Sequence, residues 1–346
     1  MKNEIAFLAI GQAGGNIGKL FEAENYKVMY INTSQEDLKT IQNPKYAYHI
    51  AKGEGAAKNR GRAFELLSAD LENLKVEISN TITEEYVFVI FSAGGGTGSG
   101  CAPALLACLS VILPKRKIGA ITILPSIDET LQAQINAYEC FSDITKAENL
   151  GAMFVLDNNG KGDKMALNTV FVDLFGQILR IPDYVDDRGN IDVKELKEVL
   201  SSPGCIVVST LPSSLSSTPK LLESFKDGIF APTEQDEIVK YIALSMASEI
   251  NTTALCRVTG KPLDIYRGYN AETTICVLSG LSLPYSRLAG IKTKIIQEQE
   301  AMKKIWLVKK QELSAGSVDL GFMGSADKPD AAQGTTDDIM AKFKRR

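Results

Sequence analysis

Gly94-Gly-Gly-Thr-Gly-Ser-Gly100 decides how this chain is read, because of what stands on either side of it. The strand-like run Tyr86-Val-Phe-Val-Ile-Phe91 leads in, and an apolar helical stretch, Cys101 to Leu113, leads out. Glycines let successive backbone N–H groups converge on an anion, and a helix that follows turns its positive end to the same point. Between a buried strand and a helix the run reads as a phosphate-cradling loop. Folding alone is not expected to call for five glycines there.

The loop contains no lysine, whereas a P-loop needs Gly-Lys-Ser/Thr at its end. Gly18-Lys19 comes near, but Leu20 stands where a metal-binding hydroxyl is required. Gly11-Gln-Ala-Gly-Gly-Asn-Ile-Gly18 follows a first strand, Glu4 to Ile10, without spelling Gly-x-Gly-x-x-Gly. The second strand, Lys27 to Ile31, ends in Asn32 and not in an acid for a ribose hydroxyl, so a dinucleotide is not the expected ligand.

The 346 residues are 45% hydrophobic, enough for one large core or two moderate ones. A net charge of −4 argues against electrostatic DNA binding by the chain as a whole. No stretch is apolar for long enough to span a bilayer and no signal-peptide core is present, so a cytoplasmic protein without direct membrane binding is expected. Six cysteines, scattered through apolar runs with no Cys-x-x-Cys pair, read as buried thiols in a reducing compartment. His49 is the lone histidine, so neither a zinc site nor a Ser-His-Asp triad is expected. Catalysis would rest on carboxylates, metal or backbone.

Strands are expected at 4–10, 27–32, 86–91, 117–123 and 151–156, with helices at 15–24, 60–80, 101–113 and 129–149. Continuous apolar strands such as Ile118-Gly-Ala-Ile-Thr-Ile-Leu124 suit a parallel sheet covered on both faces. Residues 1–163 should therefore form a doubly wound α/β domain. Its loops 11–18, 32–38, 53–61, 94–100, 125–130 and 157–160 would converge on the carboxyl edge of the sheet. Residues 164–200 supply a long central helix, Met165 to Leu179, apolar almost all round and so expected to be buried between two domains, then a polar loop and a helix from 192. Residues 201–310 read as a smaller α/β domain with a mixed sheet. Its strands are expected near 205–210, 254–260 and 273–280, with a helix at 234–250 and a long amphipathic helix from Ser286 to Lys310. Residues 311–346 read as a flexible Gly/Ser/Ala/Asp-rich linker and a short basic segment, Ile339 to Arg346. That segment is either a solvated terminus or a tethered element for an acidic partner surface.

Taken together the loops resemble those of the tubulin/FtsZ superfamily. Gly94 to Gly100 matches its signature, and Gly11 to Gly18 resembles its first nucleotide loop. Ile31-Asn-Thr33 is similar to its second loop, and Lys52-Gly-Glu-Gly-Ala-Ala-Lys58 to its γ-phosphate loop. Asn190-Ile-Asp192-Val-Lys-Glu195 has the family's Asn-x-Asp-x-x-acid synergy-loop pattern. The motifs cover about residues 3–200, and within the family a chain of this length with a basic tail looks most like the phage- and plasmid-encoded TubZ proteins.

The resemblance implies GTP and GDP as ligands, with Mg²⁺ held through phosphates and water and not by a direct side chain. Gly11, Gln12, Ala13 and Asn16 would contact phosphate and base, with Asn32 in the second loop. Gly94, Gly95, Gly96, Thr97 and Gly98 would wrap the α- and β-phosphates, while Gly53, Gly55 and Ala56 face the γ-phosphate. Glu129 falls on the ribose-binding position, and Asn158 (or its neighbour Asn159) and Asp173 on the two guanine-reading positions. A carboxylate can accept from both N1–H and the 2-amino group of guanine, and a buried helix needs a reason to carry one; a satisfied core Asp is the alternative. The chain departs from the FtsZ pattern at Ala133, where that family places an arginine.

Asn190, Asp192 and Glu195 are then the implied catalytic residues, acting on the nucleotide of the next subunit in a head-to-tail filament; Asp192 and Glu195 also suit an N-cap and a first-turn acid. The resemblance implies a cytomotive filament that segregates or positions plasmid or phage DNA, its tail Ile339–Arg346 binding a DNA-binding adaptor on a centromere-like site. A structural or spindle filament, and an FtsZ-like division protein, stay open as alternatives.

Overall fold

Ile5–Ile10 (β1) is buried at every position, as a strand covered on both faces must be. The computed structural model describes residues 1–159, 162–234 and 239–314, with side chains described to 306. The segment Ile339–Arg346 and the linker beyond 314 lie outside the described residues. After β1 come α1 (Gly11–Ala23), β2 (Lys27–Asn32), α2 (Gln35–Lys39), β3 (Tyr46–His49) and α3 (Arg60–Thr81). Then follow β4 (Tyr86–Ser92), α4 (Thr97–Ile112), β5 (Lys117–Leu124), α5 (Leu131–Ile144), β6 (Ala152–Asp157) and α6 (Lys164–Arg180). The remainder is α7 (Val193–Ser201), β7 (Gly204–Pro212), α8 (Thr218–Asp227), β8 (Tyr241–Met246), α9 (Thr252–Thr259), β9 (Asp264–Tyr269), β10 (Thr273–Leu281) and α10 (Tyr285–Ser314).

One sheet of ten strands runs in the order β3-β2-β1-β4-β5-β6-β7-β10-β8-β9. Pairing is parallel from β3 to β7, antiparallel on both sides of β10, and parallel again between β8 and β9. The α/β class with a mixed, mostly parallel sheet is the expected one, and the sheet continues unbroken from β6 into β7. Strand order reverses between β1 and β4, so the crevice of a doubly wound sheet must open beyond their carboxyl ends. Those ends carry Gly11 and Gly94.

The two glycine motifs are not free loops. α1 starts at Gly11 directly after β1, and α4 starts at Thr97 inside the glycine run. Each helix therefore starts inside its glycine motif, four residues earlier than the apolar pattern marks; glycine hides a helix start because it adds no apolar face.

α6 is pinned on the sheet by Phe171 and Phe175, which meet Phe154 at 5.5 and 5.7 Å between ring centroids. Phe7 stacks on Phe21 at 3.9 Å and meets Phe175 at 5.7 Å. The helix is not buried all round: Met165, Val170 and Asp173 lie on an exposed strip. Two expectations in the last third are reversed. Residues 252–259 form α9, whose N-cap Asn251 accepts from Ala254 N–H, and not a strand. The stretch expected to be helical at 234–250 contains β8 instead, an apolar run held between β10 and β9. The long last helix runs Tyr285–Ser314, into the first residues assigned to the linker. Among the described residues, no helix is long and apolar enough to cross a membrane. None of the six cysteines forms a disulfide, and burial pushes the Cys101 and Cys140 thiols up to about 12.

Candidate functional site

The crevice at the β1/β4 switch is a cleft of about 340 Å³ lined by Gly11, Gln12, Ala13, Gly55, Ala56, Gly94 to Gly98 and Glu129, together with Ser34, Asp37, Ala57, Lys58 and Ser92. The first group is the one the sequence singled out; the second it did not. α4 points its N-terminus into this cleft, where the first four N–H groups of a helix have no intrahelical acceptor and carry the positive end of the dipole. A smaller crevice beside it is walled by Gln12, Asn16, Asn32 and Asp37. A larger cavity of about 750 Å³ lies between α3 and α5, but its Arg60 is committed to Glu139, Asp143 and the Ser99 carbonyl.

Packing accounts for most of the glycines. A Cβ on Gly96 would lie 2.8 Å from Lys58 Cα, one on Gly98 would lie 3.1 Å from Ser92 O, and one on Gly100 would lie 2.5 Å from Arg60 O. Gly11 has a φ of +70°, a conformation that only glycine adopts freely. Gly95 is different: a Cβ there would meet nothing closer than Ser92 O at 3.9 Å. Folding thus explains more of this run than its composition suggests, and leaves Gly95 as a glycine that packing does not require.

The walls are stapled together by side chains. Thr33 and Thr97 share a hydroxyl hydrogen bond of 2.7 Å. Asn32, buried, accepts from Ser34 N–H and donates to Asp37, which shapes the second loop. Asn136 on α5 is 1% exposed, and its amide donates to the carbonyls of Lys58 at 2.9 Å and Gly95 at 2.9 Å. Gln132 donates to Asn136 Oδ1 and so fixes which way that amide faces. Ala133, at the position of the missing arginine, packs under Gly94.

The loop between β3 and α3 is strained. Ala51, Lys52, Ala57 and Lys58 all have φ between 47° and 60°, where a non-glycine residue costs on the order of 1–3 kcal/mol. Asp70 on α3 holds one end, accepting from Ala51 N–H at 2.6 Å and Tyr48 hydroxyl at 3.0 Å. Burial pushes the Asp70 carboxyl up, but the bonds from Ala51, Asn73 and Tyr48 outweigh it and leave it below the ordinary value. Gly53 lies outside the cleft lining, its carbonyl bonded by His49 Nε2.

At the opposite wall Glu129 accepts from Ser126 N–H and pairs with Lys164 at 2.7 Å. Asn159 is spent on structure, accepting from Ile127 N–H. Asp157, closing β6, forms a buried pair with Arg287 of α10: Arg287 Nε donates to Oδ2 at 2.8 Å and Nη2 to Oδ1 at 3.2 Å. The same guanidinium donates to Pro125 O at 2.7 Å, tying two loops of the cleft to the last helix.

Asn158 and Asp173 do not line the cleft, and the burial argument for Asp173 fails because its side chain is exposed. Asn168, one turn earlier and unremarked in the sequence, is the buried polar residue of α6; its amide contacts Met165 Sδ at 3.9 Å. Asn190, Asp192 and Glu195 are also away from the cleft. They follow the C-terminal end of α6, whose 17 residues span roughly 25 Å from the Lys164–Glu129 pair. Asp192 and Glu195 form a complete capping box on α7, with bonds of 2.8 and 2.9 Å.

Residues 4–161 match the family model for the tubulin/FtsZ family GTPase domain. The tubulin-like protein TubZ of Clostridium botulinum C phage is 27% identical over 310 residues, covering 88% of this chain and 86% of the relative. The structure of tail-truncated TubZ from Clostridium botulinum phage c-st has a TM-score of 0.80 at 26% identity, over 87% of this chain and 99% of that one. A GTPγS-form protofilament of Bacillus thuringiensis serovar israelensis TubZ shares the fold, with a TM-score of 0.75 at 16% identity over 90% and 95% of the two chains. The sheet order, the glycine motifs at its switch point and these likenesses make residues 4–161 a tubulin/FtsZ-type GTPase domain, in a chain similar to TubZ over most of its length.

Proposed function

We propose that this protein is a GTP-dependent, head-to-tail polymerising GTPase whose cytomotive filaments segregate or position plasmid or phage DNA in the bacterial cytoplasm. The observation that carries this reading is the separation within one chain of an anion-ready cleft from the Asn190, Asp192 and Glu195 group, roughly 25 Å away along α6. Such a cleft is completed by a second copy, whose acids orient the attacking water; a contact of that kind is heterologous and does not close on itself. Phosphoryl transfer needs positioning and charge stabilisation more than new covalent chemistry.

The cleft suits a nucleotide polyphosphate: a helix N-terminus, backbone approach at Gly95, and few side chains in the way. Mg²⁺ would supply charge neutralisation between the phosphates; Asp37, Ser34 and Thr97 are oxygen donors in the lining that suit its hydration shell. Glu129, in the cleft lining, is the candidate to hold the ribose. The basic segment Ile339–Arg346 is proposed to bind a DNA-binding adaptor.

The test is phosphate release per subunit across protein concentration, for wild type and Glu195→Gln. Gln keeps the acceptor that a capping box needs, so stability should hold while turnover falls by about 10²-fold or more. Wild-type rate per subunit should rise above a threshold concentration. A rate that is constant from the lowest concentration would mean a self-contained GTPase and would end the filament reading.

A further inference from the structure

The glycine run lacks the lysine that phosphate-binding loops of the P-loop kind carry, and the structure supplies one from elsewhere. Lys58 is the single cationic side chain among the residues lining the cleft. It comes from the strained loop before α3 and rests directly on the glycine run, so close that a Cβ on Gly96 would lie 2.8 Å from its Cα. Its carbonyl is gripped by the buried Asn136 amide at 2.9 Å, the same amide that holds the Gly95 carbonyl. That grip keeps Lys58 at a left-handed φ of 60°. Lys58 forms no ion pair with any described residue, whereas Glu129 across the cleft is neutralised by Lys164. An unpaired cation held against a phosphate-sized cradle by a strained backbone has one evident use.

We propose that Lys58 is the phosphate lysine of this site, its ammonium neutralising the terminal phosphate of GTP and so making the cleft tell GTP from GDP. The proposal rests on the reading of the cleft as a GTP site. The α4 N-terminus and backbone N–H groups serve the inner phosphates equally in both nucleotides. Lys58, on the loop beyond them, adds an attraction that only the triphosphate can collect. Gly96 is then glycine because Lys58 sits on it, and Asn136 is a positioning residue that sets where the lysine starts.

The test uses the full chain with Mg²⁺ and measures equilibrium binding of labelled GTPγS and GDP to wild type, Lys58→Gln and Lys58→Arg. Loss of one charge-assisted hydrogen bond should raise the GTPγS Kd of Lys58→Gln about 10- to 100-fold and leave GDP within about threefold. Lys58→Arg, which keeps the charge, should recover most of the difference. Equal weakening of both nucleotides would overturn the proposal, because it would mean that Lys58 only shapes the loop. Unchanged binding of both would overturn it as well, while leaving the GTP site intact. If wild type itself binds neither nucleotide, the site reading falls and this inference with it.

Discussion

Gly95→Ala separates what the fold needs from what a ligand needs. A methyl at this position would find open space, its nearest atom being Ser92 O at 3.9 Å, and the backbone there is not left-handed. Replacing a glycine at such a site restricts the unfolded chain and stabilises by about 0.4–1 kcal/mol. Gly96→Ala is the contrast. Its methyl would press to 2.8 Å from Lys58 Cα and 2.9 Å from Lys58 N, backbone atoms that cannot rotate aside. Overpacking of that kind costs about 1–3 kcal/mol. If the run cradles phosphate, a methyl on Gly95 would occupy ligand volume, and the same range there would raise the Kd about 5- to 150-fold. Urea unfolding without nucleotide and titration with labelled GDP on the same preparations measure both effects. Gly95→Ala should unfold at the same or a higher urea concentration and bind GDP poorly, while Gly96→Ala should lose both stability and binding. If Gly95→Ala is as stable as wild type and binds GDP with unchanged affinity, the glycine run is not a phosphate cradle.

Arg287→Ala leaves the Asp157 carboxylate buried without its cation, and should cost about 3–5 kcal/mol in urea unfolding. Adding Asp157→Asn should recover part of that loss; a double variant no more stable than Arg287→Ala would show that the two residues do not act as a pair. Asp70→Asn removes the charged acceptor at the strained loop and should cost about 1–2 kcal/mol near neutral pH. Because the folded-state pKa of Asp70 is lowered, wild type holds this advantage above the unfolded value near 4 and loses it as pH falls through the folded one. The stability gap between the two proteins should therefore narrow below about pH 4, and a gap that widens there would contradict the assignment.

In the β1-to-β6 half, every strand but β3 was legible because each is a continuous apolar run followed by a turn with its own chemistry, whereas Tyr46–His49 is a four-residue edge strand with no fully buried position. The last third was not, and the reason is specific. Tyr241-Ile-Ala-Leu-Ser-Met246 is apolar without a period that tells strand from helix, and what makes it a strand is pairing with β10 and β9 far along the chain. Thr252 to Thr259 looked extended because of its β-branched residues, yet a local cap at Asn251 and the burial of Leu255 suffice for a short helix. In the site, sequence could place the glycines but not say which of them serve packing. Gly96 and Gly100 answer to Lys58 and Arg60, about forty residues earlier in the chain. Asp173 was misjudged by one step of helical phase: its apolar neighbours turn inward and it does not. Lys58 was legible only as the end of a loop motif, and Asn136 carried no signal, since its meaning comes from contact between segments distant in the chain.

The Arg287 clamp bears on how the protein is made. Asp157 and Arg287 are 130 residues apart, and at about 5–20 residues per second a ribosome needs roughly 7–26 s to go from one to the other. Throughout that interval the emerging nucleotide-binding half carries a carboxylate that its own segment cannot neutralise, beside the loop from Pro125 that the same arginine fastens. The segment that matches the GTPase family, residues 4–161, therefore ends well before the arginine that pairs with its Asp157. Until α10 has docked, a nascent chain lacks the cation that pairs with Asp157 and the donor that holds the Pro125 carbonyl.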